Sequence, residues 1–206
     1  LLNVLHVESS AVVAAAAYFI SGWAASTSFT PATTPGEAMR TGLRLLPPTL
    51  VPAGLLTVSM LWAPNCAYLT GAGLYLLFVP VSAILGISVA YGITASSSGR
   101  RVLRVALVGL IVMVAGPVYD LGFHPQFFTY NHVFGGVLGP IYDEQLAIRP
   151  GLFWFRGMTV LWIVVAVVLG TRLRGFGTGR WTAIGVVAAG LLGLSYLFAP
   201  TLGVTV

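Results

Sequence analysis

The sequence predicts an all-α integral membrane protein, a polytopic bundle of about six transmembrane helices with one long external loop. Of the 206 residues, 57% are hydrophobic and 7% are charged, whereas charged residues make up about a quarter of an average soluble domain. Apolar stretches of about 20 residues recur along the chain, which is the length that crosses a bilayer. Arginines cluster between alternate stretches. Together these observations exclude a soluble globular protein.

Six stretches are long enough to span a membrane as helices, because a helix rises about 1.5 Å per residue and the hydrocarbon is about 30 Å thick. These stretches cover residues 4–25, 45–62, 68–94, 102–118, 152–171 and 181–200. Prolines open the second stretch, where a first helical turn tolerates their missing amide donors. Pro80 lies inside the third stretch, and we expect a bend there. We expect residues 1–206 to form one transmembrane domain of a longer chain.

Arginine positions predict the orientation of the spans, because cytoplasmic loops accumulate Lys and Arg. The chain has ten arginines and no lysine. Eight of the arginines fall in the connections 26–44, 95–104 and 172–180, which we place in the cytoplasm. The connection 116–151 and both ends of the chain then lie outside a bacterial cytoplasmic membrane.

Small residues predict where the helices pack, because helices in lipid associate through close approach of their backbones. Such residues recur at four-residue intervals in the first and sixth stretches and cluster in the third: Ala17, Ser21 and Ala25; Gly185, Ala189 and Gly193; Gly71, Ala72 and Gly73. Small residues are also frequent throughout transmembrane helices, so the interval by itself leaves the packing faces open.

Residues 116–151 differ from the other connections in length and composition. They contain two of the three histidines, three of the five acids and seven Tyr or Phe residues. The aromatic residues and the Gly and Pro punctuation predict a structured, partly re-entrant loop instead of a flexible linker. The candidate functional residues of this loop are Tyr119, Asp120, His124, Tyr130, Asn131, His132, Tyr142, Asp143 and Glu144.

One interpretation of this loop is a divalent metal site. The candidate ligands are His124, His132, Asp143 and Glu144, with Asp120 as a further acceptor. Two histidines eight residues apart lie about 12 Å apart along a straight helix, so the chain would have to fold back to share one ion.

A second interpretation is catalytic. Asp143 and Glu144 would form an acidic pair at the membrane surface, as expected of an enzyme that acts on lipid or lipid-linked sugar. The sequence contains no HExxH pair and no glycine-rich phosphate loop, and it offers no nucleophile with an attendant base. We therefore predict no catalytic residue.

Two further interpretations need no chemistry. In one, the aromatic anchors and a few polar groups form a docking surface for a partner or for an external domain of the same polypeptide. In the other, the acids of the loop pair with Arg149 and Arg156 and fix the loop, while the aromatic residues belong to the interfacial belt. The sequence does not separate these two.

Part of the loop resembles a known family. His124-Pro125, Tyr130-Asn131-His132 and the run from Gly139 to Glu144 are similar to a motif in the N-terminal multi-span region of large bacterial membrane proteins. The external C-terminal part of those proteins is a peptidase of the gluzincin (peptidase MA-like) kind. The resemblance, over residues 124–144, implies a membrane module followed by an external domain. The zinc-binding helix of such a peptidase does not occur in this sequence, so no catalytic residue carries over.

We therefore expect an integral membrane anchor or scaffold whose loop 116–151 docks a partner. The alternatives are a permease subunit of a transport complex and the membrane enzyme described above. The expected partners are membrane lipid and either other subunits or an external domain of the same polypeptide. The arginines form no continuous basic face, so no nucleic-acid partner is predicted. No cofactor is predicted apart from the divalent metal of the first interpretation.

Overall fold

The computed structural model describes residues 5–63, 67–96, 99–123, 128–138 and 150–202. These residues form α1 (Val7–Ser28), α2 (Pro35–Leu45), α3 (Leu50–Val58), α4 (Tyr68–Ser96), α5 (Arg101–Phe123), β1 (Phe128–Asn131), β2 (Gly135–Leu138), α6 (Pro150–Leu173) and α7 (Gly179–Leu197). Within the described residues, six helical segments are long and apolar enough to cross a membrane: α1, the run Pro35–Leu61 that contains α2 and α3, and α4 to α7. The predicted all-α class with six such helices is confirmed.

Contacts at one end of the bundle show that the long helices alternate in direction. Arg101, at the start of α5, donates to the carbonyl oxygen of Phe29 at 3.0 Å. Arg174, after α6, donates to the carbonyl oxygen of Tyr91 at 2.5 Å. The C-terminal ends of α1, α4 and α6 therefore lie at the same end of the bundle as the start of α5. We call this end of the bundle, which holds residues 99–104 and 172–180, the arginine end, and the opposite end, from which β1 and β2 enter, the hairpin end.

The centre of the bundle is the contact between α1 and α4. The predicted small-residue face of α1 is confirmed, because Ala17, Ser21 and Ala25 are all buried. On α4, a Cβ atom on Gly86 would overlap the carbonyl oxygen of Tyr18, so the two backbones touch where they cross. Close backbone approach of this kind is the usual way in which helices associate where a hydrophobic driving force is missing, as in lipid.

The predicted packing face of α7 is wrong at two of its three positions. Ala189 and Gly193 are exposed, whereas Ala188 and Leu192 are buried. A Cβ on Gly185 would lie 2.8 Å from Val168 of α6, so Gly185 alone of the predicted interval faces its neighbour. The four-residue interval missed the face because the inward positions of α7, Gly185, Ala188, Leu192 and Ser195, recur at alternating steps of three and four residues.

Part of the predicted cytoplasmic connection 26–44 is helical, since α2 begins at Pro35. The local sequence explains this start. The backbone N–H of Thr34 donates to the Glu37 carboxylate at 2.8 Å, and the backbone N–H of Glu37 donates to the Thr34 hydroxyl at 3.3 Å. This reciprocal capping box, with proline at the first helical position, is a strong signal for the start of a helix. The sequence-based assignment of residues 26–44 as a connection did not include it.

Two prolines lie within the long helices. Pro80 is inside α4 and Pro117 is inside α5, and both helices continue through them. Each proline lacks an amide hydrogen, so the carbonyl four residues earlier loses its helical partner. In α5 that carbonyl belongs to Met113, and a residue of β1 supplies its hydrogen bond, as described below.

Candidate functional site

The strands β1 and β2, with the turn between them, form a hairpin that lies in the interior of the bundle. The two strands pair in an antiparallel register, from Phe128 opposite Leu138 to Asn131 opposite Gly135. At the turn between them, Val133 is fully buried and packs with Tyr18 of α1 and Leu85 of α4. Tyr18 lies about ten residues, or about 15 Å, inside its helix from the hairpin end. This described part of loop 116–151 is therefore inserted between the helices, as the predicted re-entrant character requires.

Asn131 fixes the hairpin to α5. Its side-chain amide donates to the carbonyl oxygens of Val112 at 2.9 Å and Met113 at 3.3 Å, and its own side-chain oxygen accepts from the backbone N–H of Val133 at 2.8 Å. Pro117 leaves the Met113 carbonyl without a helical donor, and Asn131 supplies one. Such replacement is needed because a buried carbonyl without a hydrogen bond is costly in an apolar interior.

Arg156 fixes the hairpin to α4 and α6. Its side chain is only 2% exposed, and it donates to the carbonyl oxygens of His132 at 3.1 Å and Phe78 at 3.0 Å and to the hydroxyl of Ser82 at 3.1 Å. The guanidinium carbon lies 5.1 Å from the centre of the Phe78 ring. Its described partners are neutral oxygens, whereas the sequence suggested pairing with the acids of the loop; Asp143, Glu144 and Arg149 lie outside the described residues.

His132 is held by hydrogen bonds at both ring nitrogens. Nδ1 lies 2.9 Å from the Thr159 hydroxyl, and Nε2 lies 3.0 Å from the Tyr196 hydroxyl. The ring stacks on Phe155 with centroids 4.4 Å apart and planes 13° apart. The hairpin turn is thereby connected to α6 and α7.

The direction of these hydrogen bonds is set by Thr159, whose hydroxyl donates to the Phe155 carbonyl and therefore accepts from Nδ1–H of His132. The other end of this chain of hydrogen bonds begins at Trp162. Its indole N–H, which can only donate, points to the Tyr196 hydroxyl at 3.1 Å. We infer that Tyr196 in turn donates to Nε2 of His132, that Nδ1–H donates to Thr159, and that Thr159 donates to the Phe155 carbonyl at 3.2 Å. The chain of donors is complete when His132 is neutral.

The electrostatics agree with a neutral imidazole. Burial, and secondarily the charge of Arg156, lower the pKa of His132 from 6.5 to about 4. Because both nitrogens are already hydrogen-bonded, this arrangement leaves no lone pair of His132 for a metal ion. Within the described residues no group of three His, Cys, Asp or Glu side chains could hold a metal.

The structure thus brings together three of the nine predicted loop residues: Tyr130, Asn131 and His132. Tyr130 stacks on Phe155 with ring centroids 5.4 Å apart. Tyr119 lies on α5 and is 54% exposed, and Asp120 also belongs to α5. Four of the predicted residues lie outside the described residues: His124, Tyr142, Asp143 and Glu144.

The interpretation of the sequence missed the residues that receive the hairpin. We use the name hairpin cluster for Asn131, His132, Arg156, Thr159 and Tyr196. The signal for Arg156 was present, because an ionisable residue inside an apolar span is a functional candidate by default. The sequence did suggest that Arg156 fixes the loop, but with the acids of the loop as its partners instead of the oxygens of His132, Phe78 and Ser82.

A groove of about 580 Å³ lies beside the hairpin cluster, on a different face of α6. Its lining is apolar apart from Ser195: Pro150, Phe153, Trp154, Gly157, Met158, Leu161 and Ser195. None of the five hairpin-cluster residues lines this groove. The groove and the hairpin cluster are therefore separate features.

No protein-family model, curated protein or solved structure matches this chain. Its function is consequently inferred from the hairpin and from the charge pattern of the two ends. The likeness of residues 124–144 to the peptidase MA-like membrane region stays a prediction.

Proposed function

We propose that the chain is an integral anchor or scaffold module of a bacterial cytoplasmic membrane, and that its loop 116–151 docks a partner protein or an external domain of the same polypeptide. The observation that carries this proposal is the burial of the hairpin. Asn131, His132 and Arg156 attach the middle of the loop to four helices, α4 to α7. A loop fixed in this way has a defined position relative to the helices, as a docking element requires.

Fixing the hairpin favours binding by the segments on either side of it. Residues 119–127 and 139–149 enter and leave a hairpin whose position the bundle sets. Part of the loop then loses its conformational freedom during folding and not during binding. A partner therefore binds more tightly, because less conformational entropy is lost when the complex forms. Both segments carry acids and aromatic residues, among them Asp120, Tyr142, Asp143 and Glu144.

The orientation with loop 116–151 outside is supported by the state of Arg156. Its guanidinium is buried in hydrogen bonds within the bundle, so it does not act as a surface charge near the loop. The hairpin side then retains Arg149 against eight arginines in the opposite connections. That asymmetry strengthens the assignment of the arginine end to the cytoplasm.

The hairpin cluster favours a scaffold over an enzyme or a permease subunit. An imidazole with a pKa of about 4 and both nitrogens engaged is a weak general base near neutral pH. Transport needs polar groups that face a shared pathway, whereas the polar groups of the cluster bond to one another and to the hairpin. The described polar interior therefore supports holding the loop in place.

The docking proposal is tested with a photo-crosslinking amino acid at Tyr142 in native membranes. We expect a discrete adduct, either with one partner or with an external domain of the same polypeptide. The matched control places the same group at Phe153, in the apolar groove, where we expect lipid adducts only. Asp143→Ala with Glu144→Ala should abolish the Tyr142 adduct while the amount of protein in the membrane stays unchanged. An adduct that survives this change, or no adduct at Tyr142, contradicts the proposal.

A further inference from the structure

Helix α2, at the arginine end, divides its apolar side chains between two environments. Ala38 and Leu45 pack against a buried cluster that includes Phe29 and Tyr91. Met39 and Leu43, one turn apart, are 69% and 58% exposed. A helix that packed only against the bundle and faced water would not need this second apolar stripe.

A basic stripe runs beside the exposed apolar one. Arg40 and Arg44 are also one turn apart, and both are exposed. Each follows an exposed apolar residue directly in sequence, so the two stripes lie about 100° apart around the helix. Adjacent apolar and arginine stripes are typical of helices in the headgroup region, where apolar side chains enter the acyl chains and guanidinium groups reach the phosphates.

The charge of this end fits an anionic surface. The connections 26–44, 95–104 and 172–180 carry eight arginines and one acid, Glu37. The carboxylate of Glu37 accepts hydrogen bonds from the backbone and the hydroxyl of Thr34 at the helix start. Lipids with a negative headgroup are attracted to such a basic surface.

We propose that α2 binds anionic phospholipid headgroups, with Arg40 and Arg44 on the phosphates and Met39 and Leu43 among the acyl chains. This inference shares with the proposed function only the placement of the chain in a membrane. It does not depend on what the loop 116–151 docks.

The test measures the thermal midpoint of the full chain in neutral detergent by tryptophan fluorescence. Phosphatidylglycerol should raise the midpoint by several degrees more than phosphatidylcholine does. Arg40→Gln with Arg44→Gln should remove about half or more of that difference, because phosphate contacts from both arginines are lost. The matched control, Arg104→Gln with Arg180→Gln, removes the same charge from exposed positions at the same end and should keep the difference.

Three outcomes would overturn the proposal. Equal losses in the two variant pairs would show a diffuse charge effect without a site on α2. An equal response to both lipids would show no headgroup selectivity. A response reproduced by inorganic phosphate would assign the arginines to a free anion.

A second measurement keeps the proposal testable where the arginine variants do not fold. A fluorophore on Met39→Cys, in a Cys66→Ser background, is exposed to lipids that carry a nitroxide at a shallow or a deep position. Shallow lipids should quench it more strongly than deep ones. Stronger deep quenching, or none, contradicts an interfacial α2. The Tyr142 crosslink stays unaffected in either case, so failure here is distinguishable from failure of the docking function.

Discussion

Two arginines attached to α6 bind α4 in the same manner at opposite ends of the bundle. Arg156 lies over the ring of Phe78 and donates to the Phe78 carbonyl and the Ser82 hydroxyl. Arg174 lies 4.0 Å from the ring centre of Tyr91 and donates to the Tyr91 carbonyl and the Thr94 hydroxyl. The same set of partners, an aromatic face, a carbonyl and a hydroxyl, thus recurs at each end.

The two sites differ in solvation and in what else they bind. Arg156 is 2% exposed and also holds the His132 carbonyl of the hairpin, whereas Arg174 is partly exposed and reaches the Thr30 carbonyl after α1. A buried donor cannot be replaced by water, but a partly exposed one can. From this comparison we expect the shared contacts to contribute more to stability at the hairpin end, where water cannot take the place of the arginine.

The largest expected effect is that of Arg156→Met. It removes the donor to the Phe78 and His132 carbonyls and to the buried Ser82 hydroxyl, and it should lower the free energy of unfolding by about 3 kcal/mol or more. Arg174→Met should cost about 1 kcal/mol, because water reaches its partners. Reversible unfolding in mixed detergent, followed by tryptophan fluorescence, measures both. Equal costs at the two sites would refute the distinction between the ends.

Two glycines with positive φ, one at each end of the bundle, allow a second comparison of how tightly the two ends are packed. Gly135 has φ +93° in the hairpin, and a Cβ there would lie 2.5 Å from the Phe78 ring; Gly175 has φ +78° at the arginine end, with open space around it. Gly135→Ala combines backbone strain with overlap and should cost about 3 kcal/mol, whereas Gly175→Ala should cost about 1 kcal/mol from strain alone. The same unfolding assay applies. If Gly135→Ala is as mild as Gly175→Ala, Phe78 does not enclose the turn.

The smallest expected effect is a pH dependence confined to the hairpin end. The folded chain keeps His132 neutral down to a pKa of about 4, while the unfolded chain takes up a proton near 6.5. Stability is therefore full above pH 6.5 and falls as the pH drops toward 4, by at most about 1.4 kcal/mol per pH unit. Thermal midpoints between pH 7 and 5 should show this decline, and His132→Gln should flatten it. An unchanged slope in that variant would place the titrating group elsewhere.

Sequence patterns sufficed for the helices because length and apolarity are local properties. Each of the six predicted stretches overlaps one helical segment that could cross a membrane. The start of α2 is also locally encoded, in the Thr34 and Glu37 capping box, inside the connection 26–44 that the arginine positions define.

The hairpin cluster depended on contacts that no local pattern contains. Asn131 satisfies a carbonyl that Pro117 leaves open, and that pairing exists only once the chain has turned back into the bundle. Likewise, the partners of His132 come from α6 and α7, at positions 159 and 196. An expectation of re-entrance was within reach of the sequence, whereas the identity of the receiving residues required the fold.

The attachment of His132 to Tyr196 also bears on biogenesis. The helices α1, α4 and α5 are synthesised before the hairpin, and α7 is synthesised after it. The hairpin turn can therefore contact α1, α4 and α5 before Tyr196 exists. The hydrogen bond from Tyr196 to the imidazole can form only after α7 has been synthesised. The last helix of the described chain thus supplies the contact that secures a hairpin formed before it.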